Sequence, residues 1–106
     1  MKEMTPAALQ QTLSAAARPP LLLDVREPFE FEICHIIGAV NIPMREVPSR
    51  VSELDADQEL VVICHHGGRS MRVAMFLEQQ GFTNVFNLSG GVDAWACSVD
   101  PDMPRY

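Results

Sequence analysis

The chain has 106 residues, 47% of them apolar, and a formal charge of −6. That length gives a single domain, residues 1–106, able to bury about 60 to 70% of its unfolded surface, and the charge argues against nucleic acid or anionic membrane as the main partner because both on average repel an acidic surface. No apolar run approaches the roughly 20 residues of a bilayer span, and the start Met1-Lys2-Glu3 lacks the basic and apolar regions of a secretory signal, so a cytoplasmic location is expected.

In chain order, Thr5 and Pro6 form an N-cap and first-turn pair, and Ala7 to Ala16 is rich in helix formers with Ala8, Leu9, Leu13 and Ala16 at helical spacing. Arg18-Pro19-Pro20 stops that helix. Leu21 to Val25 is an apolar run short enough to be a buried strand, with Asp24 and Arg26 at its C-terminal end, either reaching a ligand or forming an ion pair that pins the next loop. Pro28 to Ile33 suits a short helix. His35 follows and is expected to be a hydrogen-bonded structural residue. Ala39 to Ile42 is a brief strand ended by Pro43, and Val47, Val51 and Leu54 recur at the spacing of an amphipathic helix.

Glu59 to Ile63 is a β-branched run of the kind found in buried strands, and Ser70 to Gln80 is helical with Gly81 as its stop. Between them stands Cys64-His65-His66-Gly67-Gly68-Arg69-Ser70. A glycine-rich turn from strand to helix curls its backbone N–H groups around one point, where the helix N-terminus adds partial positive charge and favours an anion. Cys64 stands at the mouth of this turn, where those donors and Arg69 favour a thiolate, the nucleophilic form. Further on, Asn84 to Leu88 alternates polar and apolar residues, and Gly90-Gly91 leads into a short helix carrying Trp95, expected in the core. The tail from Asp100 carries two prolines and no periodicity, so it is expected to lie over the surface or fray.

Cys34, Cys64 and Cys97 are an odd number at wide spacing, which fits neither a disulfide framework nor paired zinc knuckles. Adjacent Cys64, His65 and His66 on one tight loop cannot readily all turn toward one ion, and no second ligand pair exists, so neither metal nor other cofactor is expected. Strands alternating with helices imply right-handed crossovers and an α/β fold whose mostly parallel sheet is covered on both faces.

Four stretches together are similar to the rhodanese-like sulfurtransferases. The loop from Cys64 to Ser70 resembles the family's Cys-x-x-Gly-x-Arg-Ser active loop. Leu23 to Phe31 resembles its strand followed by Asp-Val-Arg-Glu, His35 to Pro43 its His-Ile-Pro-Gly-Ala-x-Asn-Ile-Pro segment, and Gly90 to Trp95 its closing Gly-Gly-x-x-x-Trp. The resemblance implies a single-domain, five-stranded version of the fold with the active loop at the carboxyl edge, and it supports the ion-pair reading of Asp24 and Arg26. Cys34 and Ile37 depart from the family's usual Gly and Pro. A glycine at position 34 suggests a positive φ, so Cys34 either tolerates that strain or the turn has shifted to an ordinary one. A Cys34–Cys64 disulfide is the rival role.

On this reading Cys64 attacks the outer sulfur of thiosulfate or a persulfide, carries it as Cys64-S-S⁻ and yields it to a thiophilic acceptor such as cyanide or a thiol. Backbone N–H groups from His65, His66, Gly67, Gly68, Arg69 and Ser70 hold the terminal sulfur, and Arg69 adds charge, orients the donor or braces the loop. His65 and His66 flank the entrance, as acceptor-access residues or as bystanders. The partner is a small anionic sulfur donor, with a protein as a further candidate donor or acceptor. The alternative is a sulfur carrier or docking module served by a partner protein. A cysteine phosphatase or arsenate reductase is the third reading, disfavoured because phosphatases of similar architecture have a longer loop between Cys and Arg.

Overall fold

The computed structural model describes residues 1–15 and 17–106; the expectation for Ala16 lies outside the described residues. Five strands form one sheet: β1 (Lys2–Met4), β2 (Leu21–Asp24), β3 (Val40–Asn41), β4 (Leu60–Ile63) and β5 (Val85–Leu88). Their order is β1-β5-β4-β2-β3, and every pairing is parallel. Leu60, Val61, Val62 and Ile63 are buried on both faces of the sheet, as a continuous apolar run at its centre requires. The edge strand β1 has no sequence signature: three residues, two of them charged, are too few to display an alternation, and it becomes a strand by pairing with Phe86, Asn87 and Leu88.

The crossovers divide the helices between two cores. On one face, α1 (Pro6–Ala15) and α5 (Gly91–Ser98) pack with Leu22, Val61, Ile63, Leu88, Trp95 and Met103. On the other, α4 (Gly68–Gln79) lays Val73, Ala74 and Leu77 onto Leu23, Val62 and Val85, with Val47 beside them. Ser70, Val73, Ala74 and Leu77 form the buried stripe of α4, while Met71 and Met75 lie on its outer side. Thr5 caps α1 through a bond from the Ala8 N–H to its Oγ1, 3.1 Å. The helix α2 (Pro28–Ile33) has the bounds its sequence suggests.

One expectation needs correction, and two that were left open are decided. The amphipathic helix through Val47, Val51 and Leu54 is broken into 3₁₀ turns at Met44–Glu46 and Val51–Glu53 around a four-residue α3 (Val47–Arg50). Arg50 leaves the helical region, with φ −119° and ψ 11°, and Pro48 has no N–H to continue a ladder. Cys34 has φ −164° and ψ 151°, ordinary extended backbone, so the turn has shifted and no strain is present. The tail does not fray: Met103 is buried and Tyr106 lies against the loop after β4.

Strand register brings the chemistry to one edge. Asp24 pairs with Ile63 and Val62 with Asn87, so the carboxyl ends of β2, β4 and β5 are level. Cys64 therefore emerges at the centre of the carboxyl edge of the sheet, where open parallel sheets bind ligands.

Candidate active site

The loop from Cys64 to Gly67 is held from outside by α5. The Val92 N–H donates to the Cys64 carbonyl at 2.9 Å and the Asp93 N–H to that of His65 at 3.1 Å. These two loop carbonyls occupy the free donors of a helix N-terminus. Gly91 makes the approach possible: a Cβ on it would stand 2.3 Å from the Cys64 oxygen. Gly67 turns the chain into α4 with φ +106°, a conformation that side chains resist. Gly68 has no such demand, and a Cβ there would meet open space.

With the carbonyls held back, the Cys64 sulfur lies at the floor of the loop. Cys64 is 1% exposed. Its Sγ accepts the Gly67 N–H at 3.0 Å and lies 3.2 Å from the Ser70 hydroxyl. The N–H groups of His65, His66, Gly68, Arg69 and Ser70 have no acceptor among the described residues. Ser70 is wholly buried, so its hydroxyl lies beneath the sulfur, where it also bonds the Asn87 side-chain oxygen. The Asn87 amide in turn donates to the Gly67 carbonyl at 3.2 Å and to the Glu3 carboxylate at 3.0 Å. The strand β1 thereby braces the floor of the loop through Glu3.

Arg69 points to α2. Its Nη1 and Nη2 donate to the two oxygens of Glu30 at 2.8 and 2.9 Å, a bidentate pair in which Glu30 is 6% exposed. The same carboxylate accepts from the Glu27 N–H at 3.1 Å and from the Tyr106 hydroxyl at 2.9 Å. The Arg69 bond, ahead of the opposing effect of burial, holds the Glu30 carboxyl down at about 2, and that bond also raises the Arg69 pKa. The geometry is that of a brace between the active loop and α2.

Arg26 is fully buried and forms the frame beneath. It donates to Asp24 from Nε at 2.9 Å and from Nη2 at 2.6 Å, to the Cys34 carbonyl at 2.7 Å and to the Tyr106 hydroxyl at 2.9 Å. Burial works against its charge, but the bonds to Asp24 and Tyr106 more than offset this, and its pKa is raised. Asp24 and Arg26 thus form a buried ion pair that pins the backbone at Cys34 and the ring of Tyr106. Burial pushes the Tyr106 hydroxyl up to about 12, with the Arg26 bond acting the other way.

The histidines differ. The His65 ring is stacked between His66 and Tyr106, each with centroids 3.9 Å away, and burial followed by the charge of His66 lowers its pKa. His66 is exposed, 4.0 Å from Asp93. His35 is structural: its Nδ1 bonds the Phe31 carbonyl at 2.8 Å and its ring stacks on Phe31. Cys34 packs in the core on the α1 and α5 side of the sheet and Cys64 in the core on the α4 side, which removes the basis for a disulfide between them.

Glu30, Asn87 and Tyr106 are the site residues that the sequence did not disclose. The spacing of Glu27 and Glu30 at the start of α2 is a helix-start signal that could have pointed to Glu30. Nothing local marks Tyr106, which arrives from an aperiodic tail.

Known proteins share this sequence pattern and this fold. The chain is 41% identical over 101 residues to a putative sulfurtransferase, YtwF, of Bacillus subtilis, covering 95% of this chain and 96% of that one. It is 32% identical over 95 residues to the thiosulfate sulfurtransferase GlpE of Pseudomonas entomophila, covering 90% and 87%. Against a longer plant relative, the Rhodanese-like/PpiC domain-containing protein 12 of Arabidopsis thaliana, identity is 43%, and the match covers 80% of this chain but only 30% of that protein's length. The crystal structure of a rhodanese-like domain protein from Staphylococcus aureus superposes with a TM-score of 0.86 at 28% identity over all of this chain and 99% of that one. The rhodanese-like domain family matches residues 5–97, and this chain belongs to that family of sulfurtransferases.

Proposed function

We propose that this protein carries a sulfane sulfur on Cys64 from thiosulfate or a persulfide donor to a thiophilic acceptor. The observation that carries this reading is the Cys64 sulfur buried in a strand-to-helix turn, accepting the Gly67 N–H at 3.0 Å, while the N–H groups of His65, His66, Gly68, Arg69 and Ser70 in the same turn are unengaged by the described residues. A terminal persulfide sulfur extends from Cys64 into that turn, where fixed dipoles stabilise its charge without reorganising.

In the first step the Cys64 thiolate attacks the outer sulfur of thiosulfate. The new S–S bond forms as the donor's S–S bond breaks, and sulfite leaves with the electron pair. With a persulfide donor the leaving group is a thiolate, which takes up the donor's proton. In the second step cyanide or a thiolate attacks the outer sulfur of Cys64-S-S⁻, and the Cys64 thiolate is regenerated as thiocyanate or a new persulfide departs. This is covalent catalysis with no change of net charge in either half. Arg69 holds the wall of the ring through Glu30, and His65 and His66 line its approach. A cycle that regenerates a free thiolate suits a cytoplasmic, reducing setting.

The loop also bears on the phosphatase reading. Only His65, His66, Gly67 and Gly68 separate Cys64 from Arg69, a ring small for three equatorial phosphate oxygens. The decisive test is intact mass after incubation with thiosulfate. One added sulfur, mapped to Cys64 and removed by cyanide, is expected; an unmodified Cys64 with release of phosphate from an aryl phosphate would overturn the reading.

A further inference from the structure

The acidic chain leaves an anionic donor to be attracted by local charge, and the cations around Cys64 are already matched. Arg69 is paired fork to fork with Glu30, and Arg26 with Asp24. At the rim, Arg105 bonds Asp93 at 3.0 Å and Arg45 pairs with Glu27. Arg72 lines a groove with Met44, Val47, Pro48, Val73 and Phe76, to which no residue from Cys64 to Ser70 contributes. Among the described residues, the approach to the sulfur therefore offers neutral N–H dipoles, with no uncompensated guanidinium directed to it.

Dipoles and a compensated ion pair discriminate between donors by charge. Thiosulfate brings two negative charges to the ring and leaves as a sulfite dianion. A persulfide brings at most one at its reacting end and leaves as a thiol. We infer that Glu30, by holding the Arg69 charge, is a specificity-determining residue that sets this site for persulfide donors over thiosulfate. It acts through Arg69 and is a positioning residue. The Glu30 carboxylate is held from three sides, its oxygens engaged by Arg69, the Glu27 N–H and the Tyr106 hydroxyl, so the pair does not open by a simple side-chain rotation. Its low pKa keeps the pair ionised throughout the neutral range.

This inference rests on sulfur transfer through Cys64, and its test keeps the two apart. The rate of loading the first sulfur onto Cys64 is read by quenched intact mass, with thiosulfate and with cysteine persulfide, for the wild type and Glu30→Gln. Glutamine keeps an acceptor for the Glu27 N–H and removes the charge. The ratio of thiosulfate to persulfide loading rates should rise about tenfold or more in the variant, because a dianion gains more than a monoanion from the released Arg69 charge. A merely structural Glu30 would lower both rates and leave the ratio alone, and an unchanged or lower ratio overturns the inference.

The wild type supplies a second readout that needs no substitution. With Arg69 compensated, loading from thiosulfate should be flat or rise as salt increases from about 20 to 500 mM, since screening relieves repulsion from the acidic surface. A severalfold fall with salt would reveal an unpaired cation at the site and overturn the inference. If neither donor loads Cys64 in the wild type, the transfer reading fails, and the role of Glu30 falls with it.

Discussion

Gly91 lies against the carbonyl of Cys64 so closely that a Cβ on it would stand 2.3 Å from the oxygen and 2.4 Å from that of His65. This contact lets the N-terminus of α5 take up both loop carbonyls. Gly91→Ala must push the loop off α5, in addition to straining a residue with φ +61°. A loss of about 2 kcal/mol or more of stability and of more than tenfold in the rate of Cys64 loading is expected. Thermal unfolding and quenched mass spectrometry measure the two; normal values for both would mean that the loop accommodates the methyl group.

Cys64→Ser should abolish sulfur transfer and leave the fold intact, because a serine hydroxyl is not ionised near neutrality and cannot form a persulfide. Cys97, which is exposed, and Cys34, which is buried, are the internal controls. Turnover that survives in Cys64→Ser assigns the nucleophile elsewhere.

The Arg69–Glu30 pair has a defined pH window. Glu30 titrates at about 2 in the folded chain, against 4.5 ordinarily. A depressed carboxylate contributes stability above its unfolded value and loses it as pH falls through the folded one. About 3 kcal/mol should therefore disappear as pH falls from about 4.5 through about 2. Glu30→Gln does not titrate, so the stability difference between wild type and variant should shrink across that window in urea denaturation. A difference constant with pH would mean that the pair adds no stability.

Tyr106 tests the coupling of the tail to the loop. Tyr106→Ala uncovers one face of His65, whose pKa should rise toward the ordinary histidine value because burial is the leading cause of its depression. Tyr106→Phe keeps the stacking, so the His65 pKa should stay low. It also removes a bond to the buried Arg26 and to Glu30, at a cost of about 1 kcal/mol. Titration of the His65 ring by NMR separates the variants; equal values in both would show that the stacking does not control the imidazole.

Cys34→Gly should destabilise the domain by about 1 kcal/mol or more. The extended backbone at Cys34 offers no strain to relieve, while the substitution empties a buried position and gives the unfolded chain more freedom. A stabilised variant in thermal unfolding would contradict the backbone described above.

Local patterns carried much of the architecture. The apolar runs at Leu21 to Asp24 and Leu60 to Ile63 are strands because they are short, β-branched or aliphatic and bounded by breakers, and the helix from Gly68 carries a buried stripe that its own period displays. The Cys64 to Ser70 loop was legible because its chemistry and its glycine turn are contiguous. Strand β1 and the broken helix around Val47 were not, since the first exists only through pairing with β5 and the second depends on where Arg50 leaves the helical region. The compensation of Arg69 by Glu30, 39 residues away, and the seating of Tyr106 on His65 belong to tertiary structure alone. A sequence exposes which groups are present and their neighbours along the chain; the sign and strength of the field at Cys64 depend on which distant charges the folded sheet brings together.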